Sequence, residues 1–331
     1  MDDFVEIYGG SGNETLELVG GKGKNLIVLA KRGFCVPSGF VVKSSVFNAF
    51  ASRNSIFENI SEESTQVIEN CEQILEKIDN SPLDTIAVDC ISRLLNEIKE
   101  TSATSPLVAV RSSGVNEDLD DASFAGMNET ILNVECSVDP VCAAIKECWK
   151  SLYCKQAVTY RQQLGFPVYD VSMAVVIQVM IPSDISGVVF TADPQSGSRG
   201  WLVINGVQGM GEALVSGQVD TDYWIIRKSF MGREKKIIES RIGSQAFKLC
   251  SNYPNPGTHR VDLSAEEGKR PCLTEELLFE VASTAQEIEK QYGKPMDIEF
   301  TFYQNKLYIL QARPITNLGE VPPRNLDSTF F

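Results

Sequence analysis

The stretch Asp297-Ile298-Glu299-Phe300-Thr301-Phe302, followed by Lys306-Leu307-Tyr308-Ile309-Leu310-Gln311-Ala312-Arg313-Pro314, decides how the whole chain is read. Two apolar-rich runs joined by Tyr303-Gln304-Asn305 predict a β-hairpin. Strand alternation places Asp297, Glu299 and Thr301 on one face of the first strand and Ile298, Phe300 and Phe302 on the other. On the second strand the same rule gives Ile309, Gln311 and Arg313 a common face. Setting Glu299 opposite Gln311 calls for a three-residue loop, Gln304-Asn305-Lys306, with Asn305 or Lys306 left-handed. A two-residue loop would turn the pair to opposite faces. In the three-residue register a carboxylate, a carboxamide and a guanidinium share one patch. Oxygen ligands beside a fixed cation suit Mg2+ and a polyphosphate. A half-solvated sheet face carries the same alternation, so the remaining sequence has to separate the two.

Composition narrows the field. At 331 residues the chain is long for a single core, which predicts two subdomains. A hydrophobic content of 43% with 22% charged residues is that of a soluble globular protein. The net charge of −14 argues against bulk binding to nucleic acid or to an anionic membrane, and any nucleotide site must concentrate its cations locally. No run reaches the roughly 18 apolar residues that a membrane span needs. Met1-Asp2-Asp3-Phe4 lacks the basic start and apolar core of a signal peptide. Nine cysteines occur without a C-x-x-C, and Cys136, Cys142, Cys148 and Cys154, six residues apart, point to different sides of a helix. Reduced thiols in a cytoplasmic protein are the expectation.

Several further stretches have the residue types of a phosphate site. Val19-Gly20-Gly21-Lys22-Gly23-Lys24-Asn25 reads as a glycine turn opening a helix that ends near Gly33. Glycines let backbone approach phosphate, the helix N-terminus favours an anion, and Lys22 supplies charge, although the Walker A spacing is absent. Residues 44 to 101 predict three helices, one capped by Ser44 and the last striped by Ile86, Cys90, Leu94 and Ile98 with Ala87, Ile91 and Leu95 beside them. Leu107-Val108-Ala109-Val110 is a buried strand that delivers Arg111-Ser112-Ser113-Gly114, a cation at a strand end. After it, Ala122 to Thr130 has the glycine, hydroxyls and amides of a loop that closes over phosphates. Helices over about 138–152 and 154–164 lead to a strand from Met173 to Met180, where Gln178 could meet adenine. Strand-rich sequence then begins near Ile181-Pro182-Ser183. The single histidine, His259, sits among Pro254, Pro256 and Gly257 and reads as a loop residue. Thr274 caps a last helix that Gly293 ends.

Six collinear segments carry a family resemblance: Gly20-Gly21-Lys22-Gly23; Val110-Arg111-Ser112-Ser113; Asp121 to Gly126; Ser186 to Pro194; Gly211 to Gly217; and Asp297-Ile298-Glu299 with Leu310-Gln311-Ala312-Arg313-Pro314. They resemble the ATP-binding domain of phosphoenolpyruvate synthase, pyruvate phosphate dikinase and rifampin phosphotransferase. The resemblance implies an α+β fold of the ATP-grasp type. Two subdomains, residues 1–181 and 182–318, would hold ATP and Mg2+ in the cleft between them, with 319–331 as linker or tail. By motif position Lys22 and Arg111 would contact phosphates under the Gly126–Thr130 loop, and Gln178 would lie at the adenine. Glu299 and Gln311 would hold Mg2+, with Arg313 on the phosphates. Lys22, Arg111 and Arg313 would be the catalytic cations, stabilising charge that develops on the leaving phosphate.

In that family a mobile domain with a catalytic histidine takes a phosphoryl group from ATP, leaving AMP and phosphate, and delivers it to an acceptor. The histidine motif does not occur in this sequence, and His259 lacks its context. The resemblance therefore implies the nucleotide-binding part of a dikinase-type phosphotransferase, served by a histidine-carrying domain in cis or in trans and by a small-molecule acceptor. A free-standing ATP-grasp ligase or small-molecule kinase is the alternative. A degenerate nucleotide sensor is a third reading, which the full set of phosphate cations disfavours. The tail Pro322 to Phe331, ending in two phenylalanines, reads as a segment that continues or docks, and favours the first.

Overall fold

The computed structural model describes residues 3–58, 60, 67–101, 107–114, 129–169, 171–229, 234–252, 255, 257–315 and 318. The chain divides into two compact units, the first running to Met180 and the second starting at Ile181. In the first, β1 (Phe4–Glu6), β2 (Gly39–Val42), β3 (Leu107–Gly114), β4 (Thr130–Glu135) and β5 (Met173–Val179) form an antiparallel sheet of order β1-β2-β5-β3-β4. The two nearly all-apolar strands, β3 and β5, are adjacent within it and buried along almost their whole length. Strands covered on both faces cannot show alternation, which is why their sequences read as continuous apolar runs.

Among the described residues this unit has six helices: α1 (Leu16–Lys31), α2 (Ser44–Arg53), α3 (Val67–Asn80), α4 (Thr85–Thr101), α5 (Val138–Ser151) and α6 (Lys155–Leu164). Val108, Val110, Val175 and Ile177 project from one sheet face into a core with Phe47, Ile74, Ile91 and Trp149. Each fully buried aliphatic or aromatic side chain of this set contributes about 1.5–3 kcal/mol. Trp149 is the hub, its ring 5.3 Å from Phe47 and 5.1 Å from Phe50. On the other face α1 comes close enough for a Cβ at Gly23 to meet the Val41 methyls at 3.2 Å. Two details differ from the sequence expectation. Lys43, not Ser44, is the N-cap of α2, because the Ser44 hydroxyl donates to the Glu17 carbonyl and ties α2 to α1. On α4 the buried set is Ala87, Ile91, Leu94, Leu95 and Ile98, all within the predicted apolar set, but Ile86, expected in the stripe, is 70% exposed.

The second unit holds an antiparallel sheet of order β13-β12-β6-β7-β8-β9, made of β6 (Ile185–Phe190), β7 (Trp201–Gln208), β8 (Asp222–Arg227), β9 (Lys236–Arg241), β12 (Met296–Tyr303) and β13 (Lys306–Pro314). A separate hairpin pairs β10 (Phe247–Ser251) with β11 (Thr258–Asp262). His259 is therefore a strand residue and not a loop residue. It lies opposite Cys250, with its Nδ1 2.7 Å from Asn252 Oδ1. A short α7 (Glu212–Val215) follows β7. The long α8 (Glu275–Tyr292) starts as its sequence indicates, with the Thr274 hydroxyl accepting from Leu277 N at 3.3 Å, and ends at left-handed Gly293. No helix among the described residues is long and apolar enough to cross a membrane.

The β12–β13 hairpin closes with two residues, not three. Gln304 and Asn305 have φ of 50° and 61°, the pair of positive values a type I′ turn requires. From the turn, Tyr303 pairs with Lys306, Thr301 with Tyr308 and Phe300 with Ile309; the register then shifts, and Glu299 pairs with Gln311 and Asp297 with Arg313. Leu310 is the extra residue of a β-bulge. The bulge undoes the parity expected for β13. Ile309, 3% exposed, faces the core with Phe300, while Gln311 and Arg313 share the face of Glu299 and Asp297. The pairing expected of Glu299 and Gln311 thus occurs with the loop length that should have forbidden it.

β12 is locked at two further places. Thr191 and Met296 exchange bonds, Thr191 N to Met296 O at 2.8 Å and Met296 N to Thr191 Oγ1 at 2.7 Å. The Phe300 ring lies over Gly187, where an added Cβ would stand 2.4 Å from the ring and 2.4 Å from the Asn205 carbonyl oxygen. Gly187→Ala should therefore cost about 1–3 kcal/mol in urea unfolding through overpacking, and Phe300→Leu in the same chain should recover part of it. A Gly187→Ala protein as stable as the wild type would rule out this packing account.

Candidate functional site

In the first unit the sequence-predicted cations gather where α1 meets β3. Helix α1 is broken at Gly20, whose φ of 66° and ψ of 177° are non-helical. Only glycine fits there, because a Cβ would stand 2.0 Å from the Ser113 carbonyl oxygen. Ser113 makes the junction rigid: its hydroxyl donates to Val19 O at 2.8 Å and accepts from Gly23 N at 3.0 Å. Lys22 then reaches the same strand end, Nζ to Ser112 O at 3.0 Å. Arg111, 9% exposed, points to the α1 side of the sheet and donates from Nη1 to Gln178 Oε1 at 3.3 Å. Gln178, 3% exposed, keeps its Nε2 without a hydrogen-bond partner among the described residues. A buried amide donor left this way costs about 1–3 kcal/mol unless a ligand takes it.

Thr130 is not in a loop. It opens β4 directly opposite Arg111, and Glu129 O accepts from Ser112 N at 2.9 Å. The pairing depends on a bulge, since Ala109 faces two residues of β4 where Asn133 has a φ of 59°. The segment Asp121 to Gly126 lies outside the described residues.

In the second unit Glu299, Gln311, Asp297 and Arg313 form one cross-strand square. Sequence reasoning placed Asp297 on this face without giving it a role, and the structure gives it one. Its Oδ2 accepts from Arg313 Nε at 2.9 Å, so the guanidinium is fixed beside Glu299 and Gln311. Burial pushes the Asp297 carboxyl above its ordinary value; Arg313 pulls it down and Glu299 adds to the rise. Burial prevails because the Arg313 side chain is 48% exposed and its field is screened by water, whereas that of Asp297 is 12% exposed.

The donor set fits Mg2+. Among the described residues no three His, Cys, Asp or Glu side chains converge as a dedicated cage. Mg2+ needs none: it is commonly held by one or two carboxylates, with waters and substrate phosphates filling the octahedron. Glu299 and Gln311, paired across the bulge, offer the carboxylate and the carbonyl oxygen, and Asp297 stands beside them. All nine cysteines are thiols, which removes them as structural cross-links.

Residues 16–329 match the family described as the pyruvate phosphate dikinase AMP/ATP-binding domain. The chain belongs to that family. Its α+β fold is accordingly of the ATP-grasp type, and ATP is the ligand class of the domain. A probable phosphoenolpyruvate synthase of Archaeoglobus fulgidus is 37% identical over 92% of this chain and 40% of its own length. A rifampicin phosphotransferase of Bacillus cereus is 36% identical over 98% of this chain and 36% of its own. The phosphoenolpyruvate synthase of Pyrococcus furiosus is 31% identical over 96% and 44%. The chain thus spans less than half the length of these relatives. Among solved structures, an acetyl-coenzyme A synthetase of Candidatus Korarchaeum cryptofilum overlaps 74% of this chain and 90% of its own at 11% identity and a TM-score of 0.30, too loose a likeness to carry an inference.

The state of Asp297 has a measurable consequence. A carboxyl whose folded pKa exceeds its unfolded value, about 3.9 for aspartate, holds its proton longer in the folded state. Stability then falls as pH rises from that value through the folded pKa. Urea unfolding of the ligand-free protein between pH 3.5 and 7 should show this loss, and the difference between wild type and Asp297→Asn should isolate it from the other carboxylates. A pH-independent difference, or one of opposite sign, contradicts the assignment.

Proposed function

We propose that this domain binds ATP with Mg2+ and passes one phosphoryl group from ATP to a histidine-carrying domain, in cis or in trans, while water takes up the other, leaving AMP and phosphate. That histidine then serves a small-molecule acceptor. Residues 1–181 and 182–318 act as the two ATP-grasp subdomains. The observation that carries the reading is the Glu299–Gln311 pair with Arg313 held by Asp297, a metal-and-phosphate constellation in a chain of this family. Relatives named as phosphoenolpyruvate synthase and rifampicin phosphotransferase support the reaction class.

In this reading Glu299 and Gln311 would hold Mg2+, which would supply positive charge to the phosphates of ATP. Lys22 and Arg111 are the phosphate-binding cations of the first unit, and Arg313 on β13 is that of the second. Each cation is anchored before ATP arrives, Lys22 by Ser112 O, Arg111 by Gln178 and Arg313 by Asp297. Charge that develops on the leaving phosphate therefore meets oriented donors, and little reorganisation is needed at the moment of transfer. Gln178, bonded to Arg111, orients that guanidinium, and its remaining amide donor is available to the nucleotide. Thr130 stands opposite Arg111 on β4. The abundance of thiols supports a cytoplasmic setting.

Phosphorus NMR of the protein with ATP and Mg2+ tests the proposal. AMP and phosphate should appear only when a histidine-domain partner is supplied; ADP and phosphate formed with a carboxylate and an amine would replace it with a ligase. Glu299→Ala should abolish the Mg2+-dependent turnover. Lys22→Met keeps the side-chain stem and removes the charge, so ATP affinity measured by calorimetry should fall roughly ten- to hundredfold, the worth of one charge-assisted contact. Unchanged affinity would remove Lys22 from the phosphate site.

A further inference from the structure

The C-terminal end of α8 carries a second concentration of positive charge, within the second unit and on residues outside the ATP motifs. An open pocket of about 730 Å3 is walled there by three separate segments. Arg199 comes from the loop before β7, Lys235 from the connection after β8, and Lys290 and Lys294 from the last turn of α8 and the turn beyond it. Two carboxylates also face the pocket, and both are engaged. Glu289 is taken by buried Lys228, Nζ to Oε1 at 2.7 Å, and Glu287 stands 3.8 Å from Lys290. Arg199, Lys235 and Lys294 have no carboxylate partner among the described residues; Lys235 touches only a neutral group, the Ser283 hydroxyl at 3.0 Å. The positive field reaches inward. Burial lowers the proton affinity of Lys228 against the pull of Glu289, and Arg199 lowers it further.

Ordinary helix capping accounts for part of this arrangement and not all of it. The C-terminus of a helix carries about half a negative charge, enough to attract Lys290. It does not explain Arg199 and Lys235, which arrive from other segments of a chain whose net charge is −14. Three unmatched cations held together repel one another, a cost that a bound anion removes. The volume lies in the range of small-molecule sites, about 300–1,000 Å3, and exceeds what a single oxyanion fills. Ser229, Ser283 and Gln286 add neutral hydrogen-bonding groups to the wall.

We propose that this pocket is a second anion site, binding a small molecule with at least two separated phosphate or carboxylate groups across Arg199, Lys235 and Lys294. Acylation of lysines by acetic anhydride, read peptide by peptide in a mass spectrometer, tests it on the whole chain. Inorganic tripolyphosphate and citrate serve as probes, with sodium chloride at matched ionic strength as the control. At least one probe should protect Lys235 and Lys290 where the salt control does not, and the protection should be lost in the double variant Arg199→Gln, Lys294→Gln. Both altered side chains are exposed, so an unchanged melting temperature shows that the variant is folded. Protection of Lys22 in the same digests reports the ATP site separately, so either site can fail without the other. No protection by either probe, protection matched by salt, or protection that survives the double substitution overturns the proposal.

Discussion

A slip of β12 by a single residue would carry Glu299 into the core and Phe300 out of it, because side chains alternate along a strand. Three contacts of different kinds oppose that slip. At its start, Thr191 and Met296 exchange two hydrogen bonds. In its middle, Phe300 occupies the space that Gly187 leaves open. At its end, the two positive-φ residues Gln304 and Asn305 set the hairpin twist. The segment 186–194, one of the six segments that carry the family resemblance, thus contributes through architecture: its glycine and its threonine hold the strand that carries Asp297 and Glu299.

The first unit solves a similar problem with different residues. Lys22 and Arg111 are 89 positions apart in the chain and are brought to one strand end by close backbone contact. That contact depends on the missing side chain of Gly20 and on the two hydrogen bonds of Ser113. Both hairpins that carry candidate phosphate or metal residues contain a one-residue bulge beside them, at Asn133 near Arg111 and at Leu310 near Glu299. Bulges bend a strand and re-aim its side chains, and here each brings two polar residues face to face that a regular ladder would have offset.

Much of this was legible in the sequence, because strong local signals and collinear motifs agreed. The apolar runs of β3 and β5, the helix from Thr274 to Gly293 and the candidate pairing of Glu299 with Gln311 all follow from residue type and spacing. What escaped depends on contacts distant in sequence. Nothing in Ile309-Leu310-Gln311 marks Leu310 as the extra residue, so the parity of Ile309 came out reversed and the loop one residue too long. Ser44 has the chemistry of a cap, yet Glu17 is a better placed acceptor. Prolines and a glycine around His259 suggested a loop, and the pairing with Cys250 that makes it a strand is tertiary. Asp297 was placed on the right face, but its hold on Arg313 appears only once the register is known.

The bulge at Leu310 also separates the hairpin mechanically into a tip and a base. Between the turn and the bulge the register is set by Gln304 and Asn305; below it, the register is set by the pairs that hold Glu299 and Asp297. A small change of length or bulk at the tip can be taken up at the bulge before it reaches Glu299 and Asp297. The exposed residues Gln304 to Lys306 are therefore a suitable place to attach a spectroscopic label, since the bulge insulates the geometry of the hairpin base from it.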